Sequence, residues 1–454
     1  MTRRRSFPLC AGILAVALSG GAWAQTNSQN TVSGGTTQPT DNAPLTLTLQ
    51  DALERAKKIN PDYHSAVTDY GVAKEDKVQS RAALLPNVNY NTSFLYTEGN
   101  GVGFVRYIAN NSVHEYVSQG NVHQDVSLQN FADFRRTQAL EAAAKARSEI
   151  AARGLVVTVV QAYYGFAVAE RKYATAQRAD SEAQRFLDIS QKLERGGEVA
   201  HSDVIKAQIQ QQQQHRDLQE AQLEMNRSRL ELSVLVFPDF TENFTVVDDL
   251  QLPEALPAFQ EIQTAAANKN PELRAAVETL RASKDEVTGA WNGFLPSLSM
   301  DYFYGIDATH FATRQFDPVT GAEFHNLGYS AIATLQLPVW NWGSNRSKLK
   351  QATLRRDQAR VELSATQREL LAKLHNFYEE AQTSRQELES LNQSAELAAD
   401  SLRLTTMRYQ GGEATVLEVV DAQNTLTQAR NAFNDGQARF RVALATLQTL
   451  TGNF

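Results

Sequence analysis

The amino-acid sequence predicts a mainly α chain with a transmembrane β-barrel portion. Long helical hairpins form a coiled coil or an α-barrel, and the four strands of each chain, where they span a membrane, belong to a sheet that other chains must complete. Three observations lead there. First, the chain is written twice. Asn60-Pro61 returns as Asn270-Pro271 and Leu85-Pro86 as Leu295-Pro296, both 210 residues on (60 to 270, 85 to 295). Arg195-Gly196-Gly197-Glu198 returns as Gln410-Gly411-Gly412-Glu413 and Ala207-Gln208 as Ala422-Gln423, both 215 residues on (195 to 410, 207 to 422). Two copies make a duplicated unit, not a solenoid. Second, very long stretches lack helix breakers. Third, the segments between them alternate apolar and polar residues over about ten positions, the length of a tilted membrane-spanning strand.

The chain opens on an export signal. Arg3, Arg4 and Arg5 precede the apolar stretch Leu9 to Leu18, and Ala22-Trp23-Ala24 forms an A-x-A cleavage site. Residues 1–24 therefore read as a signal peptide. The only cysteine, Cys10, leaves with it and does not read as a lipoprotein anchor, so no disulfide, thiol nucleophile or thiolate metal site is expected. The formal charge is −7 and becomes more acidic once the three arginines go, which argues against a nucleic-acid partner. Residues 25–44, rich in Thr, Asn, Gln, Gly and Ser, read as a flexible leader. Beyond it no apolar run approaches the ~18 residues of a membrane helix. The best candidate, Leu155 to Tyr164, is broken by Thr158 and Gln161.

The first copy is expected over residues 45–237 and the second over 259–454, with an equatorial linker at 238–258. Within each copy, Asn-Pro marks a helix start and Leu-Pro a helix stop. Strands are expected at about 86–96 and 120–131, then at about 296–306 and 327–339. Val88, Tyr90, Phe94 and Tyr96 oppose Asn87, Asn89, Asn91 and Ser93, and Leu298, Met300, Tyr302 and Tyr304 oppose Ser297, Ser299 and Asp301. Tyr96, Trp340 and Trp342 cluster near strand ends as an aromatic girdle would. Ser344 to Gln410 contains neither Gly nor Pro, and between Ala132 and Arg195 only Gly154 and Gly165 interrupt. A helix of about 60 residues runs roughly 90 Å, which implies a coiled coil or a helical barrel. The last helix shows the seam: Val419, Ala422, Leu426, Ala429, Phe433, Gly436, Phe440, Ala443, Leu447 and Leu450 follow heptad spacing. Moved back by 215, the register falls on Val204, Ala207, Gln211, Gln214, Leu218, Ala221, Met225, Ser228, Leu232 and Leu235. The heptads by themselves also fit a plain exported coiled coil of structural or adhesin-like type. The strands by themselves also fit a soluble hairpin that caps it.

Four strands cannot close a membrane barrel, and open sheet edges are not tolerated in lipid. If these strands span a membrane, several chains must pool them. Two chains would give eight strands and three would give twelve, and a pore wide enough to feed a helical tube favours the larger number.

With this order of elements, the chain resembles the TolC-type outer-membrane efflux protein family over essentially all of the mature sequence. The local matches are the two Asn-Pro and two Leu-Pro pairs, Leu337-Pro338-Val339-Trp340-Asn341-Trp342-Gly343, Tyr409-Gln410-Gly411-Gly412, Val416 to Leu426, and the closing Leu447-Gln448-Thr449-Leu450-Thr451-Gly452. The resemblance implies a homotrimer with a twelve-stranded outer-membrane barrel in lipid, a twelve-helix periplasmic tunnel beneath it, and an equatorial belt. It implies a periplasmic adaptor and an inner-membrane pump as partners. Docking would use the hairpin turns at Gly196, Gly197, Gly411 and Gly412. The duct would serve efflux or type I secretion and open at its periplasmic end. It further implies a gate of acidic side chains at Glu418 and Asp421, latched through Tyr409 and Asp203. Glu418 and Asp421 are three apart, on one helical face beside the seam. Three-fold symmetry would gather these carboxylates around the axis, where they raise one another's pKa and attract cations. Near a helix N-terminus they are equally at home as solvated acids. Where the family's latch has an arginine just after the glycine, this chain has Glu413 and Ala414, so that ion pair is not expected.

Catalytic chemistry finds no support in the sequence. The eight histidines are scattered without H-E-x-x-H, and there is no G-x-S-x-G and no Walker loop. The Gly-Gly pairs follow helices rather than strands, so they read as turns and not as phosphate loops. No cofactor and no metal is expected.

Overall fold

A computed structural model describes residues 45–96, 114–239, 243–250, 256–316 and 319–452. The expected signal peptide and leader, Cys10, the loop after Tyr96 and parts of the 238–258 linker lie outside the described residues. The first copy runs β1 (Leu45–Leu47), α1 (Leu49–Ile59), α2 (Pro61–Ala82), β2 (Asn87–Tyr96), β3 (His114–Val126), α3 (Leu128–Arg195) and α4 (His201–Val236). After β4 (Phe244–Val246) the second copy runs α5 (Phe259–Lys269), α6 (Pro271–Asn292), β5 (Ser297–Ala308), β6 (Arg314–Phe316), β7 (Glu323–His325), β8 (Leu327–Gln336), α7 (Ser344–Gln410) and α8 (Val416–Thr451).

The repeated motifs act as local punctuation. Asn60 ends α1 and caps α2, its Oδ1 accepting from the Tyr63 N–H at 2.8 Å. Asn270 does the same for α6, accepting from the Leu273 N–H at 3.0 Å. Proline follows at the first helical position, where a missing N–H costs nothing. At the Gly-Gly turns, the Glu198 N–H donates to Leu193 O at 2.9 Å and the Gly197 N–H to Glu194 O at 2.8 Å. The Glu413 N–H likewise donates to Arg408 O at 2.8 Å and the Gly412 N–H to Tyr409 O at 3.1 Å. These are Schellman closures. The second glycine of each pair is the one in the left-handed region, φ 78° at Gly197 and 72° at Gly412. Gly196 and Gly411 have ordinary negative φ.

Two strands differ in their bounds from expectation, β3 at both ends and β8 at one. The strand expected at about 120–131 is β3, His114–Val126, because Ser127 caps α3 by accepting from the Asn130 N–H at 3.1 Å. The alternation read beyond Val126 is the first turn of a helix. β8 ends at Gln336 and not at Val339, since Pro338 has no N–H to donate.

The main sheet is antiparallel in the order β2-β3-β5-β8, so β3 and β5 join the two copies. One face carries Val88, Tyr90 and Phe94 of β2 with Tyr302, Tyr304 and Ile306 of β5; the other carries Asn87, Asn89, Asn121, His123 and Asp301. The edge strands β2 and β8 are exposed along their whole length. Just beyond β8, Trp340 and Trp342 meet edge to face at 5.8 Å and are exposed. Trp342 has φ 53°, a rare conformation for a bulky residue.

An equatorial core midway along α3 joins the helices to a second, two-stranded sheet. β1 and β4 pair in parallel, and the Tyr163 hydroxyl donates to Leu47 O at 3.1 Å and Val247 O at 2.8 Å. Val159, Val160 and Phe166 of α3 pack there with Leu47, Leu232 and Phe244. Contrary to the sequence expectation, α3 is long and apolar enough by composition to cross a membrane. Its apolar stretch is spent instead on covering this protein core. Ile262, Ala266, Leu374, Phe440 and Leu447 form the matching core of the second copy.

Candidate functional site

The far ends of the two hairpins close on a third apolar cluster. Phe186 of α3, Val204 and Ala207 of α4, Leu402 and Tyr409 of α7, and Val419, Ala422 and Leu426 of α8 are all buried there. The expected α8 seam therefore packs inward, although Ala429, Phe433 and Gly436 are only half-buried. At Gly436 a Cβ would lie 2.8 Å from Leu391 Cδ1, so the small residue permits the close approach of α7 and α8.

Polar groups stitch the two hairpins together across this cluster. Tyr409, 2 % exposed, donates its hydroxyl to Ser190 Oγ at 3.1 Å, and its ring lies tilted against Phe186 with centroids 5.0 Å apart. Farther along, Asn424 Oδ1 of α8 accepts from the side-chain amides of Gln210 at 2.9 Å and Gln214 at 3.3 Å, both on α4. These bonds link repeat 1 to repeat 2.

Glu418 completes a capping box. Its Oε1 accepts from the Thr415 N–H and hydroxyl, each at 3.1 Å, while the Glu418 N–H donates back to Thr415 Oγ1 at 3.4 Å. Its other oxygen lies 3.6 Å from Arg408 Nη1 across the turn. The Thr415 N–H, then its hydroxyl, then Arg408 hold this carboxyl below the ordinary glutamate range. Asp421, one turn on, is exposed. Asp203 pairs at 3.1 Å with Lys206 of its own helix.

The candidate residues thus separate. Glu418 and Asp421 stand on the first two turns of α8, beside the Gly411-Gly412 turn. Tyr409 is brought to Ser190 and not to Asp203, because its ring is buried against α3 while Asp203, half-buried on α4, pairs with Lys206. Sequence reading missed Arg408, which stands before the turn. It donates to Glu413 O at 3.0 Å and reaches Glu418, so a cation is present at the tip although none follows the glycines. Its signal was a basic residue in the last turn of a helix, facing an acid at the third position of the next. Ser190 carried no comparable signal.

This architecture is shared. The description "Outer membrane efflux protein" matches residues 262–453. The outer membrane protein TolC of Escherichia coli is 20 % identical over 416 residues, covering 89 % of this chain and 82 % of its own. The alkaline protease secretion protein AprF of Pseudomonas aeruginosa is 22 % identical over 426 residues, covering 89 % and 84 %. The Campylobacter jejuni CmeC outer membrane channel superposes with a TM-score of 0.78 at 18 % identity, over 89 % of this chain and 85 % of that one. The chain belongs to the TolC-type outer membrane efflux family. As a member of this TolC-type family it is an outer-membrane protein of the efflux and secretion channel class.

Proposed function

We propose that three copies of this chain form a passive export duct. A twelve-stranded barrel crosses the outer membrane, and a tunnel of long helices extends into the periplasm, where it meets an adaptor and an inner-membrane pump. The observation that carries this is the pair of unfilled sheet edges. β2 and β8 are exposed, the sheet between them has one apolar face, and four strands cannot close on themselves. Pairing β8 of one copy with β2 of the next removes every edge. The helices repeat the logic: α3 packs on α4 and α8, and α8 on α7, which leaves α4 and α7 at opposite ends of the array to meet neighbouring copies. Trp340 and Trp342 would sit at the lipid–water boundary on the helix side of the barrel.

The boundaries that accompany this reading are a signal peptide at 1–24, a leader at 25–44, repeats at 45–237 and 259–454, and the linker at 238–258. Glu418 and Asp421 of the three copies would ring the inner mouth. Tyr409 would latch it through Ser190, and Asp203 would add charge beside it without joining the latch. The turns at Gly196-Gly197 and Gly411-Gly412 would face the adaptor. The cargo would be small molecules or proteins, as the AprF and efflux relatives suggest, and the pump would supply the energy. The relatives named are channels or secretion proteins, which leaves the adhesin-like alternative without support.

Purified protein in detergent should have the mass of three chains and give cation-preferring conductance in a planar bilayer. A monomer that stays dissolved without detergent and forms no channel would overturn the reading.

A further inference from the structure

The polar face of the main sheet carries charge of nearly one sign. Register places Asn87, His123, Asp301 and Ile332 in one row across β2, β3, β5 and β8. The same face carries Glu115, Asp125 and Asp307. Among the described residues of these four strands, neither Lys nor Arg is present, and the one titratable base on this face is His123. In a closed barrel the opposite, apolar face meets lipid, so this face lines the lumen.

His123 is clamped. Its Nδ1 lies 2.8 Å from Asp301 Oδ1 on β5 and its Nε2 3.2 Å from Asp125 Oδ2 on its own strand. From β2 it faces only the uncharged Asn87, and Asn121 Nδ2 donates to the same Asp301 oxygen at 3.5 Å. A neutral imidazole has one N–H and can donate to one of these carboxylates; the imidazolium donates to both. The clamp therefore has two states. Protonated, His123 offsets one of the two carboxylates; neutral, it leaves both uncompensated. It sits three residues before the end of β3, at the mouth where the lumen passes into the helical tunnel.

We propose that His123 sets the charge of the barrel lumen and thereby its preference for cations, which strengthens as the imidazole gives up its proton. The inference rests on the trimeric-channel reading and assigns the barrel a selectivity of its own, apart from the acids at the helical tips. The dimensions allow it. Twelve strands spaced about 4.8 Å and tilted about 40° make a ring roughly 24 Å across between backbones. Wall charges then lie about one screening length from the axis at ~0.1 M salt, where that length is about 10 Å, and are screened out at ~1 M, where it is about 3 Å.

Reversal potentials of the full-length protein in planar bilayers, under a KCl gradient near ~0.1 M, test this. The measurement is repeated from about pH 5 to about pH 8, the window in which histidine changes charge. His201 and His215 also stand beside carboxylates, Glu194 and Asp180, at and near the tips, so variants must separate their contribution from that of His123. The wild-type preference for K+ over Cl− should rise with pH. His123→Gln should keep the high-pH value throughout and His123→Lys the low-pH value, with all differences lost near ~1 M KCl. The two substitutions fix the charge in opposite directions, so either one that assembles decides. If the variants follow the wild-type pH dependence, the proposal is overturned and the channel stands. Absence of any wild-type channel would instead overturn the channel reading and this inference with it.

Discussion

The Tyr409 hydroxyl donates to Ser190 Oγ at 3.1 Å, and the two residues belong to different copies of the repeat, 219 positions apart. Both are buried, so the bond is shielded where the hairpins must separate if the mouth is to widen. A net hydrogen bond of this kind contributes about 1 kcal/mol, equivalent to about five-fold in a closed-to-open ratio. Tyr409→Phe and Ser190→Ala should each raise leak conductance in planar bilayers by roughly that factor. The double variant should leak no more than either single one, because both remove the same bond. Additive leaks would show that the pair does not hold the hairpins.

Charge at the tip is separable from helix capping. Asp421→Asn should lower cation preference without altering helix stability. Glu418→Gln should spare the capping box, which accepts Gln, but lose the Arg408 contact; Glu418→Ala should lose both. The Glu418 carboxyl is held below its ordinary value, so its stabilising effect is present above the unfolded glutamate pKa and is lost as pH falls through the folded one. Hydrogen exchange at the start of α8 should be steady at neutral pH, once corrected for intrinsic rates, and accelerate below the ordinary glutamate range. Glu418→Ala should abolish that acceleration, and an unchanged acid response would refute the assignment.

The pairing of β3 with β5 depends on Gly305. A Cβ there would lie 2.3 Å from Ser118 O and 2.4 Å from Gln119 Cα, both backbone atoms that cannot step aside. Gly305→Ala should break the β3–β5 pairing and abolish assembled oligomer on unheated SDS gels. Gly120→Ala, whose Cβ would come no nearer than 3.9 Å to any neighbour, should assemble normally. Equal yields from the two variants would contradict the close approach.

Tyr163 ties the N-terminal strand to the equator. Burial pushes its hydroxyl up from 10.0 to about 12. Its protonated form therefore stabilises the fold fully below about pH 10, and this contribution is lost as pH rises toward 12. Tyr163→Phe should cost about 1 kcal/mol locally, speed exchange in β1 at neutral pH, and remove the alkaline step in its protection. A step that persists in Tyr163→Phe would place the titration elsewhere.

Much of the fold was legible because its signals are local. Asn60 and Asn270 cap the helix they precede, and Gly197 and Gly412 take a conformation that other residues resist. Each acts on its own few neighbours, so spacing alone revealed them. The seam of α8 was legible because heptads repeat whatever they pack against. Boundaries failed where two signals overlapped: Leu128 continued the alternation of β3, but Ser127 had already started the helix. The three-residue strands β1 and β4 show no period, since each is too short to alternate, and only the Tyr163 hydroxyl and the surrounding core reveal why they pair. Arg408 escaped because its partner lies across a turn.

The sequence by itself determined the duplication, the long hairpins and the alternating strands, because composition and periodicity act residue by residue along the backbone. Only the tertiary structure decided that Tyr409 meets Ser190 and not Asp203, that His123 stands between Asp125 and Asp301, and that the apolar stretch of α3 covers an equatorial core. Those outcomes depend on how two copies twist and register against each other. The contacts that settle them join residues far apart in the chain, where no local preference reaches.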